Sequence, residues 1–115
     1  HDKLRQQISL RYTELGLNIA PEEIIITSGA TEALSLALQT VAKRGDIIAV
    51  ESPTYFSVLR LIEKMGMLAL EIDSDPQTGI SLDALEFALD TMDITAMLIV
   101  PNFNNPAGSL MPGDN

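Results

Sequence analysis

The fold is decided by Ile24-Ile25-Ile26-Thr27-Ser28-Gly29-Ala30-Thr31-Glu32-Ala33-Leu34. The first half of this stretch is rich in β-branched residues, which favour extended backbone and pack well in sheets. The apolar run breaks at Ser28-Gly29, and a helical pattern follows at once. The stretch therefore predicts a strand over 24–28 that turns directly into a helix, which is the repeating unit of an α/β fold.

The turn at Ser28-Gly29 also predicts a place where an anion can bind. The first backbone N–H groups of a helix have no partner within it, and the helix dipole adds partial positive charge there. Gly29 lacks a Cβ atom, so a ligand can approach the backbone, and Ser28 and Thr31 offer hydroxyl groups. A phosphate group suits such a turn. The same residues are equally compatible with a turn in which Ser28 or Thr31 only caps the helix.

Outward from this stretch, strand and helix patterns alternate along the whole chain. The predicted strands are 24–28, 46–51, 68–72 and 95–100, the predicted helices are 2–15, 31–43, 55–65 and 81–90, and residues 73–79 and 101–115 are predicted loops. Ser81 is the predicted cap of the last helix. This alternation predicts one α/β domain, in which adjacent strands pair in parallel through right-handed crossovers.

The composition excludes several classes of function. The 115 residues contain no Cys and one His, and 16 acidic residues against 7 Lys and Arg give a net charge of −9. Disulfides, zinc sites and Ser/His/Asp triads are therefore not expected, and neither is nucleic-acid binding by this segment. No apolar run reaches membrane-spanning length, and a chain without Cys suits a reducing compartment. We expect a cytoplasmic protein that does not bind a membrane.

Three unusual segments follow predicted strands, where ligands of parallel sheets gather. They are Ser28-Gly29-Ala30, Ser52–Tyr55 and Pro101–Gly108. At one edge of the sheet, these segments would supply a turn that binds phosphate, an aromatic ring and amide donors. This combination suits a planar phosphorylated cofactor. The glycine patterns of dinucleotide-binding and P-loop proteins do not occur.

These segments resemble the large domain of the fold type I, pyridoxal-phosphate-dependent aminotransferases of class I and II. Within that group the chain is most similar to the aminotransferase-like domain of MocR-type regulators, a branch of the GntR transcription factors. The matching pieces are Leu4–Ile8, Pro21–Ala30, Glu51–Tyr55 and Asn102–Pro112. The resemblance covers the whole chain and implies a three-layer α/β fold with a parallel sheet.

The resemblance implies a role for each site residue. Ser28-Gly29-Ala30 matches the loop that holds the phosphate of pyridoxal 5′-phosphate, and Thr31 is a further possible donor. Tyr55 matches the aromatic residue that stacks on the pyridine ring, and Asn105 matches the amide that binds its 3′ oxygen. Simpler roles compete with these: helix capping for Thr31, packing on the sheet for Tyr55 and turn formation for Asn105.

Other parts of the family's site have no match in this chain. The family forms a Schiff base on a lysine well beyond the Asn-Pro-x-Gly turn, and Lys3, Lys43 and Lys64 do not follow strands. The ring-nitrogen carboxylate and the substrate-binding arginine are also expected downstream. We expect residues 1–115 to be a partial large domain that is inactive alone, with an incomplete sheet and exposed apolar faces.

Three interpretations remain open from the sequence. The first is a pyridoxal-phosphate-binding regulator that responds to an amino acid or other small effector, with its DNA-binding domain upstream. The second is a free-standing aminotransferase that moves an amino group between an amino acid and a 2-oxo acid. The third is an α/β domain without the cofactor, in which the Ser-Gly-Ala loop is only a turn. Both of the first two imply a homodimer.

Overall fold

The computed structural model describes residues 1–113, so the last two residues of the loop predicted over 101–115 lie outside the described part. The chain divides into two compact units, residues 1–34 and the residues from 35 onward. The first unit contains α1 (Asp2–Glu14), a 3-10 helix (Pro21–Glu23) and the beginning of α2 (Ala30–Val41). The second contains β1 (Ile47–Ser52), α3 (Phe56–Lys64), β2 (Leu68–Asp75), β3 (Gly79–Ile80), α4 (Leu82–Thr91) and β4 (Ile94–Leu98).

In the first unit, α1 ends close to the predicted boundary at Leu15. Gly16 has a φ of +84°, which glycine adopts without strain. This turn lets the N–H of Leu17 donate to the carbonyl of Tyr12 at 2.9 Å. Ser9 Oγ then donates to the carbonyl of Ile19 at 2.6 Å and holds the returning chain against the helix.

The predicted strand over 24–28 is wrong for the described residues. Ile24 is extended, with φ −97° and ψ +119°, but residues 24–27 pair with no strand. Ile24 and Ile26 are half-buried, whereas Ile25 is 79% exposed. A strand needs a partner for its backbone groups, and a propensity for extended backbone cannot supply one.

The second unit is built on a four-stranded sheet in the order β3-β2-β1-β4. The central strand β1 pairs in parallel with β2, from Ile47 opposite Leu68 to Ser52 opposite Asp73, and in parallel with β4. Its residues 48–51 are buried, and Ile48, Ala49 and Val50 have no exposed surface. The three strands predicted here are confirmed within about three residues at each end, and so is the α/β class.

The loop predicted over 73–79 is only partly correct, because β2 continues to Asp75 and turns back into β3. Ser74 pairs with Ile80 and Asp75 with Gly79 in antiparallel register, so the expectation of only parallel pairing is wrong here.

Asp75 Oδ1 accepts the N–H groups of Gln77 at 2.7 Å and Thr78 at 3.0 Å. These two hydrogen bonds, the one from Gln77 first, lower the pKa of Asp75 below its usual value.

Helix α4 closes the core on one side of the sheet. Its predicted cap is confirmed, because Ser81 Oγ accepts the N–H of Ala84 at 3.3 Å. Ala88 on this helix packs with Ala49, Ile72 and Ile80 in a buried cluster. Several apolar side chains are exposed; they include Leu68, Phe87 and Leu89. Within residues 1–113, the helices lack the length and apolar character that crossing a lipid bilayer requires.

Candidate functional site

Two of the three strand-end segments lie at one edge of the sheet, as predicted. Because β1 and β4 are parallel neighbours, their carboxyl ends at Ser52 and Leu98 point the same way. The segment 52–55 follows β1, and the segment 101–108 follows β4 after two residues. The third segment, Ser28-Gly29-Ala30, belongs to the first unit.

The Ser28-Gly29-Ala30 segment is an open turn at the start of α2. Gly29 has a φ of +154°, and a Cβ atom added there would meet no other atom within 4 Å. The helix begins at Ala30, and the N–H of Ala33 donates a hydrogen bond to the carbonyl of Gly29. Thr31 therefore lies inside the first turn rather than at the cap position, and its side chain is exposed. The open space over Gly29 fits a phosphate group that approaches the backbone.

One acidic side chain already contacts this turn. Glu32 Oε2 accepts the N–H of Ser28 at 2.6 Å. The contact occupies the N–H of Ser28, which lies two residues before the start of α2. A phosphate bound at Ser28 would replace the carboxylate, because two anions cannot share the same donor at low cost.

Tyr55 occupies the N-cap position of α3, with φ −64° and ψ +121°. The residue is 48% exposed, and its ring meets the ring of Phe56 edge-on, with 5.4 Å between the ring centroids. Tyr55 is therefore not fully buried against the sheet. An exposed face beside the end of β1 fits a planar ring that stacks on it.

Asn105 lies in the loop after β4, whose two ends are joined by backbone hydrogen bonds. The N–H of Met111 donates to the carbonyl of Pro101 at 2.8 Å, and Asn102 and Leu110 form an isolated antiparallel bridge. Asn105 is exposed near the tip of this loop. An exposed amide at the carboxyl edge of the sheet fits the predicted contact with a polar cofactor oxygen.

Beside Asn105, the structure reveals a buried polar pair that sequence reasoning missed. Glu51 is 2% exposed and Asn104 is 3% exposed. Glu51 Oε1 accepts the N–H of Val100 at 2.7 Å, and its Oε2 accepts Asn104 Nδ2. The available signal was a carboxylate directly after the apolar run Ile47–Val50, because a buried charge requires dedicated donors.

A family model described as aminotransferase class I and II matches residues 1–115. The chain belongs to this family. In Escherichia coli (strain K12), the uncharacterized HTH-type transcriptional regulator YjiR is 47% identical over 109 residues, which are 95% of this chain and 23% of YjiR.

A second relative of this aminotransferase-family chain is also an HTH-type regulator. The pyridoxine biosynthesis transcriptional regulator PdxR of Corynebacterium glutamicum is 34% identical over 113 residues, which are 97% of this chain and 23% of PdxR. The predicted resemblance to the family and to HTH-type regulators is thereby confirmed. The chain spans about a quarter of the length of these relatives.

Among solved structures, this aminotransferase-family chain resembles an enzyme. LysN, the alpha-aminoadipate aminotransferase of Thermus thermophilus, matches with a TM-score of 0.82 and 28% identity. The match covers 97% of this chain and 27% of LysN, whose structure is a complex with N-(5′-phosphopyridoxyl)-L-leucine. The predicted α/β class is confirmed by this likeness.

Proposed function

We propose that residues 1–115 form part of a pyridoxal-phosphate-binding large domain in a transcription regulator of the MocR type. The observation that carries the proposal is the 47% identity to an HTH-type regulator over 95% of the chain. The strand-end segments support it, because an exposed tyrosine and an exposed amide lie at the edge where α/β sheets bind ligands.

Each site residue has a stated task in this proposal. Ser28, Gly29 and Ala30 hold the phosphate with backbone N–H groups, and Thr31 adds a hydroxyl donor. Tyr55 stacks on the ring, and Asn105 donates a hydrogen bond to the 3′ oxygen. When bound, the cofactor supplies an electron-accepting ring, while these residues bind and orient it.

The whole protein would be a cytoplasmic homodimer that binds an amino acid or related effector. DNA contact would come from a part of the protein outside residues 1–115, since this acidic segment repels phosphate backbones. The alternative is an enzyme that transfers an amino group between an amino acid and a 2-oxo acid. The likeness to LysN favours it.

The test uses the whole protein, at the length of its relatives, purified without cofactor. Addition of pyridoxal 5′-phosphate should change the visible absorbance at one equivalent per site. Pyridoxal, which lacks the phosphate, is the matched control and should bind at least about tenfold more weakly if the phosphate is held. Equal binding of the two ligands would contradict the phosphate loop, and no binding of either would contradict the proposal.

A second assay separates the regulator from the enzyme. Sequence-specific DNA binding that changes with pyridoxal 5′-phosphate, without amino transfer, is the expected result for a regulator. Steady amino transfer from an amino acid to a 2-oxo acid, without DNA binding, would favour the alternative.

A further inference from the structure

The end of β1 and the loop after β4 are joined by one buried side-chain contact. Glu51 is the fifth residue of β1, and its partner Asn104 lies 53 residues later in the chain. Both side chains are almost completely buried. Neither residue contacts the cofactor in the proposed function, so their burial at this edge needs another explanation.

The charge on Glu51 decides which way the Asn104 amide points. Both carboxylate oxygens are used, one by the N–H of Val100 and the other by Asn104 Nδ2. A flipped amide would set its oxygen against the carboxylate, so Asn104 must donate. Its own Oδ1 is buried and has no hydrogen-bond partner among the described residues. The contact with the charged group thus holds the amide in an orientation that leaves Oδ1 unsatisfied.

Asn104 is held by its backbone as well as by its side chain. Its N–H donates to the carbonyl of Ser109 at 3.3 Å, and its own carbonyl accepts the N–H of Gly108. Ser109 is itself buried, so both ends of the segment 104–109, which carries Asn105, are anchored in the interior. Asn105 is the next residue and is exposed. The direction in which the chain leaves Asn104 therefore determines where the Asn105 amide is presented.

We propose that Glu51 and Asn104 are positioning residues, which aim the Asn105 amide at the ring of the bound cofactor. The inference rests on the proposed function, in which Asn105 contacts the 3′ oxygen. A buried carboxylate is costly unless its oxygens are satisfied, and a pair of apolar side chains would fill the same space more cheaply. The polar pair instead ties the loop to the end of β1, because Glu51 accepts one hydrogen bond from Val100 and one from Asn104.

The test exchanges the hydrogen-bond donor and acceptor of the pair in the whole protein. Asn104→Asp removes the donor and sets a second carboxylate against Glu51, which should displace the loop. Adding Glu51→Gln should restore the contact, because the introduced glutamine can donate to the new carboxylate and still accept the N–H of Val100. The matched control is Asn18→Asp with Glu86→Gln, which makes the same changes at two exposed positions, neither of which follows a strand.

Three quantities are measured for each variant at neutral pH: the dissociation constant for pyridoxal 5′-phosphate, the absorbance spectrum of the bound cofactor, and the melting temperature without cofactor. For Asn104→Asp we expect at least about tenfold weaker binding and a spectrum shifted in the same direction as that of Asn105→Ala. We expect the reversed pair to bind within about threefold of the wild type and to recover its spectrum. The control should match the wild type throughout.

Different failures contradict different statements. If the wild type binds no pyridoxal 5′-phosphate, the proposed function is wrong, and the positioning role is wrong with it. If the wild type binds, and Asn104→Asp lowers only the melting temperature, the pair is structural and the positioning role alone is wrong. If Asn104→Asp does not fold, the reversed pair decides: binding like the wild type supports the inference, and binding like Asn105→Ala overturns it.

Discussion

At the scale of single residues, the carboxyl edge of the sheet separates two kinds of polar group. Glu51 and Asn104 are buried, and Glu51 accepts hydrogen bonds from the Asn104 amide and from the N–H of Val100. Tyr55 and Asn105 are exposed and follow the same two strands. Buried polar groups fix the geometry of a loop, whereas exposed ones remain free to contact a ligand.

Asn105→Ala should weaken pyridoxal 5′-phosphate binding by the whole protein. The substitution removes a hydrogen bond to a charged oxygen, which is worth about 1.5–3 kcal/mol. A titration followed by absorbance measures the change. Asn18→Ala is the control, because Asn18 is an exposed amide that does not follow a strand. Equal effects of the two substitutions would mean that the cofactor site lies elsewhere.

Tyr55→Ala should also weaken cofactor binding, because it removes the ring proposed to stack on the pyridine. Tyr55→Phe keeps the aromatic face and should bind nearly as well as the wild type. An aromatic pair contributes about 0.5–1.5 kcal/mol beyond its buried area, so the difference between these variants should be at least that large. If Tyr55→Phe and Tyr55→Ala bind the cofactor equally, Tyr55 serves only as a packing residue at the start of α3.

At the scale of elements, the hairpin between β2 and β3 is the one antiparallel pairing of the four-stranded sheet. Residues 76–78 form its turn, and Gly79, which follows them, takes a φ of +82°. The loop after β4 rests on this turn, since the N–H of Leu110 donates to the carbonyl of Gln77 at 3.3 Å. The hairpin therefore supports the segment that carries Asn105.

Stability should fall with pH through Asp75. Its pKa is lowered in the folded state because the carboxylate accepts the N–H groups of Gln77 and Thr78. The stabilisation is therefore present above the unfolded-state pKa of about 3.9 and is lost as the pH falls through the lower folded-state value. Asp75→Ala should lower the melting temperature at neutral pH, and the difference from the wild type should vanish in acid.

Asp75→Asn provides the control for this titration. Its side chain keeps an acceptor oxygen but carries no charge, so its contribution should not change through the acidic window. A difference between the wild type and Asp75→Ala that stays constant from neutral pH into acid would show that the carboxylate charge does not stabilise the turn.

At the scale of the whole molecule, the described residues contain apolar surface and extended backbone that they do not cover themselves. Ile25 is 79% exposed and lies in an unpaired extended segment. The chain spans about a quarter of the length of its relatives. We therefore expect residues 24–27 to pair with a strand supplied by the rest of the protein.

Hydrogen exchange on the whole protein tests this expectation. The backbone N–H groups of residues 24–27 should be protected, because a strand ladder shields them from water. Residues 18 and 19 form the matched control, since they are also irregular and lie between the hydrogen-bonded N–H groups of Leu17 and Ala20. Exchange as rapid in 24–27 as in 18 and 19 would contradict the pairing.

The sequence by itself determined the elements that depend on near neighbours. It predicted the four helices, the strands β1, β2 and β4 and the cap at Ser81, because apolar periodicity and capping side chains act within a few residues. It also identified the family, and it predicted that the segments after β1 and β4 share one edge, which follows from parallel pairing.

Only the tertiary structure decided which distant groups meet. Residues 24–28 have a strong preference for extended backbone, but their pairing depends on a partner that local sequence does not encode. The contact between Glu51 and Asn104 joins residues 53 positions apart, and nothing in either local pattern indicates the other. Backbone preference is a local property, whereas strand pairing and the satisfaction of a buried charge depend on groups that folding brings together.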